Sequence, residues 1–269
     1  MRKIKISKIV SIVLCVLFCF SFFAESLSSV EAAATEYMYV IDSTIFSNST
    51  QTLKYKYSYN KNGFVSKMVV DNNIKNGDRL KYTFSYTYKN GLVTGYSLNA
   101  NEGGKISKAK ATYTYDSKKR LKKVVTKGSK GFNSTVTYAY DKNNNISKMT
   151  EVYPELNTNT TYTYKYNKKN QVTKQTVKWS ATETATYTYK YDKKGTIIEV
   201  KSTTNYNGDI FRSTNKRTIT YNSKGLVTKI VQKDEYDTST AKYKYKKIKI
   251  NKKFKKEIEK NQKDMMMKD

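Results

Sequence analysis

Three tyrosine–lysine pairs stand out, each separated by ten residues: Tyr57 with Lys67, Tyr138 with Lys148, and Tyr164 with Lys174. The chemistry that these side chains support is non-covalent. An exposed aromatic ring offers a flat apolar surface on which a sugar can stack, and an ammonium group attracts anions. Packing between neighbouring strands is the structural alternative for the tyrosines. As a functional hypothesis, we predict that these six residues bind an anionic or carbohydrate polymer.

The sequence offers no catalytic residues. It contains no histidine, and its two cysteines, Cys15 and Cys19, lie in an apolar N-terminal stretch. Serine–histidine and cysteine–histidine catalysis and the usual zinc sites are thereby excluded. Asp116, Asp141 and Asp192 occupy one turn position in successive copies of a motif, which indicates turn stabilisation. We therefore predict that the chain is not an enzyme and has no metal site and no cofactor.

The elements that position the pairs are hairpins, best seen in residues 187–197. Tyrosines alternate there with threonine and lysine, a period of two that is typical of a β-strand. Asp192 begins a tight turn, and Gly195 supplies a residue that tolerates the left-handed conformation. If Asp192 pairs with Thr196, Tyr189 lies opposite Glu199. The same register places each tyrosine of the three pairs opposite its lysine and on the same face of the sheet.

Copies of this hairpin recur at intervals of 24 to 30 residues, marked by the tyrosine before each turn. These turn tyrosines are Tyr59, Tyr88, Tyr115, Tyr140, Tyr166, Tyr191, Tyr221 and Tyr245. Eight copies with two strands each predict about sixteen strands. The predicted fold is all-β: an antiparallel up-and-down meander of tandem β-hairpin repeats over residues 35–250, forming an extended, curved or coiled sheet. So large a sheet must also close, coil or cover its edges.

The pattern Tyr-x-Tyr-Asp-x-x-Gly, clearest in residues 189–195, resembles the YD repeat of Rhs-type proteins. The resemblance covers roughly residues 55–250. It implies long β-sheets, some of which coil into shells around toxin domains, and secretion or exposure at the cell surface. The chain is thus similar to a short, secreted bacterial form of that family.

Residues 1–34 are typical of a secretory signal peptide. Arg2, Lys3, Lys5 and Lys8 precede an apolar segment at residues 9–24, and residues 32–34 are alanines suited to cleavage. We expect export and an extracellular location, with contact to a membrane only through this segment before cleavage. An uncleaved membrane anchor is the alternative.

The chain is strongly basic, with a formal net charge of +29. Attraction to polyanions explains this charge, and so does the codon usage of an AT-rich genome. The lysines are spread along the chain, which argues against a specific nucleic-acid partner. Residues 251–269 are highly charged, and Phe254 and Ile258 mark either a short helix or a solvated tail.

Three classes of function follow from the sequence. The first is a secreted or cell-surface, non-catalytic protein that binds an anionic or carbohydrate polymer of the cell envelope. The second is a structural or toxin-associated shell of the YD type. The third is an enzyme such as a cell-wall hydrolase, for which no acid–base pair is evident. The oligomeric state stays open.

Overall fold

The computed structural model describes residues 35–129, 131–193 and 195–266. The predicted signal peptide at residues 1–34 lies outside the described residues. The first eight strands are β1 Thr35–Ser47, β2 Gln51–Tyr59, β3 Val65–Ile74, β4 Arg79–Lys89, β5 Leu92–Glu102, β6 Lys105–Tyr115, β7 Leu121–Gly128 and β8 Ser134–Tyr140. The next eight are β9 Ile146–Tyr153, β10 Thr158–Tyr166, β11 Val172–Lys178, β12 Glu183–Tyr191, β13 Ile197–Tyr206, β14 Asp209–Tyr221, β15 Val227–Lys233 and β16 Thr238–Asn251. Two short 3₁₀ helices at Pro154–Leu156 and Lys252–Phe254 and one α-helix, α1 at Lys255–Met266, complete the described elements.

The sixteen strands form a closed barrel in which each strand pairs with its neighbours in sequence. Closure is made by β1 and β16, which are 13 and 14 residues long and pair antiparallel from Thr35 with Asn251 to Ser47 with Thr240. The expectation of an extended, curved or coiled sheet is therefore wrong, and so is its description as an array of β-hairpin or YD repeats. Closure satisfies the backbone groups that an open meander exposes on its two edge strands.

The tight turns have the chemistry expected from the sequence, but they add a bulge. At the turn of β12 and β13, the amide of Asp192 donates to the carbonyl of Thr196 at 2.9 Å, and the Asp192 carboxylate accepts from the Thr196 amide at 2.8 Å. Gly195 has a φ of 78°. The register then shifts by one residue between Lys190 and Tyr191, so that Tyr189 lies opposite Val200. The predicted opposition of Tyr189 and Glu199 is thus wrong, because the bulge adds an unpaired residue.

The tyrosine before each turn links successive hairpins through its hydroxyl group. Seven of these hydroxyls donate to a backbone carbonyl one hairpin earlier, near the start of a strand in six cases and in the middle of β1 for Ile41: Tyr59 to Ile41, Tyr88 to Val65, Tyr115 to Val93, Tyr140 to Leu121, Tyr166 to Ile146, Tyr191 to Val172 and Tyr245 to Val227. The Tyr221 hydroxyl lies 3.2 Å from the Thr196 hydroxyl. Burial raises the pKa of Tyr88 and Tyr115, which keeps these groups as neutral donors. We call this set the tyrosine ring.

The barrel interior is filled by side chains. On the β2–β9 side the inward residues are apolar and aromatic, and Tyr96 packs edge-on against Phe84 and Tyr113 with ring centroids 5.7 and 6.3 Å away. On the β10–β15 side the interior is more polar. There the Arg217 guanidinium donates to the Gln232 side-chain oxygen at 2.8 Å. The interior on the β2–β9 side thus serves as the main hydrophobic core of the protein.

A second, smaller core lies beside the turns of the tyrosine ring. Phe254 and Ile258, at and after the start of the C-terminal helical segment, pack with Val40, Phe64 and Ile250. Among the described residues, no helix combines the length and apolar character needed to cross a membrane.

Candidate functional site

The one-residue bulge separates the predicted tyrosine–lysine pairs onto opposite faces of the sheet, since a shift of one residue reverses the side on which a side chain lies. The tyrosines face inward, where Tyr57 is opposite Met68 and Tyr138 is opposite Met149. The lysines face outward. The structure places the six predicted residues as follows: Tyr57, Tyr138 and Tyr164 inside, and Lys67, Lys148 and Lys174 outside, opposite Ser58, Ala139 and Lys165.

The predicted stacking platform therefore does not exist on either face. Tyr57 and Tyr138 are only 6 and 8% exposed, so their rings pack within the core. Exposed aromatic rings lie instead near the ends of strands, at Tyr37, Tyr39, Trp179, Tyr206, Phe211 and Tyr236. What the outer wall of the barrel offers to a ligand is charge and hydroxyl groups.

Outward lysines alternate with hydroxyl side chains around the barrel. Four lysines each lie directly opposite a serine or threonine of the following strand: Lys67 with Ser85, Lys123 with Thr137, Lys148 with Thr163, and Lys174 with Thr188. The last three of these lysines belong to β7, β9 and β11. Since neighbouring strands are about 4.8 Å apart, the row repeats at intervals of about 10 Å.

The charged side chains on the outer wall from β6 to β12 are all positive, and we call this part of the wall the basic face. Its outward lysines are Lys108, Lys110, Lys123, Lys127, Lys148, Lys165, Lys174, Lys178 and Lys190. The seven strands contain only two carboxylates, Glu151 and Glu183, and both belong to the inward set. No carboxylate on these seven strands neutralises the positive charge of the basic face, although at its edge Lys190 lies directly opposite Glu199 of β13.

The outer wall elsewhere carries acids that are ion-paired. Asp42 lies 3.0 Å from the ammonium of Lys246 and also contacts Lys56, and Asp71 pairs with Arg79. The hydrogen bond from the Arg79 guanidinium holds the pKa of Asp71 below its usual range. These contacts distinguish that part of the barrel from the basic face.

A groove of about 570 Å³ crosses β5, β6 and β7 at one side of the basic face. It is lined by Ser97, Leu98, Asn99, Lys108, Ala109, Lys110, Thr112, Val125 and Lys127. Glycines lie beside it where the backbone is close. A Cβ atom on Gly95 would be 2.2 Å from the Ala111 carbonyl oxygen, and one on Gly128 would be 2.4 Å from that of Lys108. The sequence does carry a signal for this site, since Lys108 and Lys110 are two residues apart and share a face.

The carboxylates of the tight turns are engaged in structure. Asp116 and Asp141 accept hydrogen bonds from backbone amides of their own turns, at 2.8 Å in each case. The buried Glu151 was not anticipated from the sequence. It is 1% exposed, accepts a hydrogen bond from the Tyr153 hydroxyl at 2.5 Å, and has its pKa raised by burial to about 7. Within the described ranges, no group of three or more histidine, cysteine or acidic residues is arranged to hold a metal ion.

No protein-family model matches the chain, and no curated protein matches it. Solved structures do. A porin-like protein from Bacteroides uniformis is similar with 13% identity and a TM-score of 0.50, over 77% of this chain and 98% of that one. This likeness shows the barrel fold alone.

Two further structures are more distant. A porin-like protein from Bacteroides vulgatus has 8% identity and a TM-score of 0.39, over 77% of this chain and 98% of that one. A chain of the TcdB2-TccC3-Cdc42 complex has 13% identity and a TM-score of 0.33, and the match covers 72% of this chain and 12% of that one. Both similarities are too weak to carry an argument about function.

Proposed function

We propose that this chain is an exported, surface-associated and non-catalytic barrel that binds an anionic polymer of the cell envelope through its basic face. The observation that carries the proposal is the set of nine outward lysines on β6–β12, with no outward carboxylate on those strands. A surface of one sign attracts polymers of the opposite sign and speeds their association.

Each contact on such a surface is weak, because an exposed ionic contact contributes about 1 kcal/mol or less. The row of Lys123, Lys148 and Lys174 compensates by repetition. A polymer that crosses the strands meets a cation about every 10 Å. Its successive contacts then form at a high effective concentration, so that affinity rises with polymer length and falls with added salt.

Barrels of this strand number also form pores in outer membranes, and one similar structure is of a porin-like protein. That likeness supports a surface-associated location. A lipid-facing barrel, however, needs an apolar outer band and has a polar interior. In this barrel the outer wall carries lysine, threonine and serine, and the interior on the β2–β9 side is packed with tyrosine and aliphatic residues, which favours a wall that meets water.

The alternative of a toxin-associated shell requires interior space for a cargo. The interior on the β2–β9 side is occupied by buried side chains such as Tyr82, Phe84 and Leu98, which are at most 1% exposed. This packing favours a binding function for the outer wall over a container function for the interior.

The test is co-sedimentation of the purified protein with cell walls, compared with walls from which the anionic polymers have been chemically removed. A triple variant, Lys123→Gln, Lys148→Gln and Lys174→Gln, should bind the intact walls at least tenfold more weakly at low salt. A matched control removes the same charge from other parts of the outer wall: Lys81→Gln, Lys233→Gln and Lys244→Gln. That control should change binding by less than twofold.

Three results contradict the proposal. Equal binding by parent and triple variant means that the basic face is a solvated surface. Equal weakening by both triple variants means that only total charge matters. Unchanged binding to the stripped walls would show that the partner is not the anionic polymer.

A further inference from the structure

We infer that the groove over β5–β7 binds one acidic sugar unit of the polymer, that is, a hydroxylated unit carrying a phosphate or carboxylate group. This inference rests on the proposed function and adds the place where a single unit is held. The volume of the groove, about 570 Å³, lies in the usual range for small-molecule sites.

The charge around the groove is unbalanced. Lys110 of β6 and Lys127 of β7 lie directly opposite each other, an arrangement of like charges that costs stability. Lys108 adds a third ammonium group two residues from Lys110 on the same face. Since none of the residues that line the groove is acidic, the protein does not relieve this repulsion there itself. An oxyanion bound between the lysines would relieve it.

The groove also has partners for the hydroxyl groups of a sugar. Ser97 lies directly opposite Lys110, and Asn99 lies directly opposite Lys108. Lys108 and Lys110 are therefore each paired with a side chain that can both donate and accept hydrogen bonds. Val125 contributes an apolar patch of the lining, against which the carbon atoms of a sugar ring can pack.

The sequence explains why no lysine side chain lies beside the groove opposite Thr112, one of its lining residues. After most tight turns the outward position carries lysine, as in Val65-Ser66-Lys67, but on β5 the corresponding run is Val93-Thr94-Gly95. Gly95 lies opposite Thr112 of the next strand, as Lys67 lies opposite Ser85. The lysine row therefore lacks one side chain here. A side chain could not be added without displacement, because a Cβ atom would be 2.2 Å from the Ala111 carbonyl oxygen.

The experiment is isothermal titration with glucose 6-phosphate and with glucuronate, which separate phosphate from carboxylate recognition, and with glucose as the neutral control. The parent should bind at least one of the acidic sugars with a Kd in the millimolar range or tighter, and glucose at least tenfold more weakly. A double variant, Lys110→Gln and Lys127→Gln, should weaken the acidic-sugar binding at least tenfold.

A second variant, Ser97→Tyr, fills the groove and keeps every charge, and it should have the same effect. The matched control, Lys233→Gln with Lys244→Gln, removes the same charge outside both the groove and the basic face, and it should leave binding of the single acidic sugar within twofold of the parent. Circular dichroism melts of all variants establish that they are folded. In the parent, glucose 6-phosphate or glucuronate should also raise the melting temperature, and the rise should be absent in the Lys110→Gln, Lys127→Gln variant.

The inference fails if the parent binds neither acidic sugar, if glucose binds as well as they do, or if the folded Lys110→Gln, Lys127→Gln variant binds like the parent. Each of these results leaves the polymer co-sedimentation test of the basic face unaffected, so the two claims can fail separately. Displacement of the sugar by a short single-stranded oligonucleotide at lower concentration would reassign the groove to a nucleic-acid phosphate.

Discussion

Removing one hydroxyl group from the tyrosine ring should destabilise the barrel, whereas removing a neighbouring hydroxyl should not. The Tyr115 hydroxyl donates to the Val93 carbonyl at 2.7 Å. Tyr113 lies two residues earlier on β6, and its buried hydroxyl has no hydrogen-bond partner within the described part of the chain. Tyr115→Phe and Tyr113→Phe are thus the same chemical change on the same strand, with and without a hydrogen bond.

The magnitudes follow from what each change leaves behind. Tyr115→Phe loses a hydrogen bond and leaves the Val93 carbonyl short of a donor, which should lower the free energy of unfolding by about 1 to 2 kcal/mol. Tyr113→Phe removes a polar group that is buried without compensation, so stability should be unchanged or higher by up to about 1 kcal/mol. The packing of the Tyr113 ring against Tyr96, with centroids 6.3 Å apart, is retained.

Urea unfolding followed by circular dichroism measures both effects as shifts in the transition midpoint at constant slope. The expected order of stability is Tyr113→Phe at or above the parent, and Tyr115→Phe below it. Equal decreases in the free energy of unfolding of the two variants would refute the reasoning. The hydroxyls of the tyrosine ring would then contribute no more to stability than any other buried tyrosine hydroxyl.

Two further predictions concern the inner residue Glu151 and the turn glycines. Burial raises the pKa of Glu151 to about 7, so the folded protein holds a proton that the unfolded chain releases near pH 4.3. The free energy of unfolding should then fall by up to about 3 kcal/mol between pH 4.5 and 7. Glu151→Gln should abolish this pH dependence, which urea unfolding at a series of pH values measures. A parent protein that gains stability over that interval would contradict the assignment. Gly63→Ala should lower the melting temperature more than Gly225→Ala. Both glycines have a positive φ, but only at position 63 would a Cβ atom lie 2.5 Å from Ile250 and 2.7 Å from Ile258. Equal decreases in melting temperature would mean that helix packing does not constrain this turn.

The sequence predicts the local elements of this barrel better than it predicts their assembly. The turn motif identifies where strands end, because aspartate, asparagine and glycine there have specific backbone roles. Eight such motifs predict about sixteen strands, which is the number in the structure. Closure is not predicted, since pairing of β1 with β16 joins residues some 200 positions apart and leaves no local pattern.

The candidate site could not be predicted for a different physical reason. A bulge of one residue after each turn reverses the face on which a side chain lies, and the sequence pattern of alternation is the same with or without it. Lys148 was therefore expected beside Tyr138, whereas it lies outside the barrel and Tyr138 lies inside. Gly95 lies beside the groove, and only the structure shows how close the Ala111 carbonyl oxygen is to it.

The tyrosine ring gives the barrel an adjustable circumference. Each hydroxyl contact joins a hairpin only to the one before it, as Tyr191 joins to Val172. A chain without residues 141–166 would place Tyr140 directly before the turn that begins at Asn167, and β8 would continue into β11. Every remaining hydroxyl of the tyrosine ring would keep its partner. The circumference of the barrel would be shorter by two strands, or about 10 Å. The width of the barrel is thus a property of how many hairpins are joined, and a deletion or duplication in phase with the turns changes its size without creating a new kind of interface.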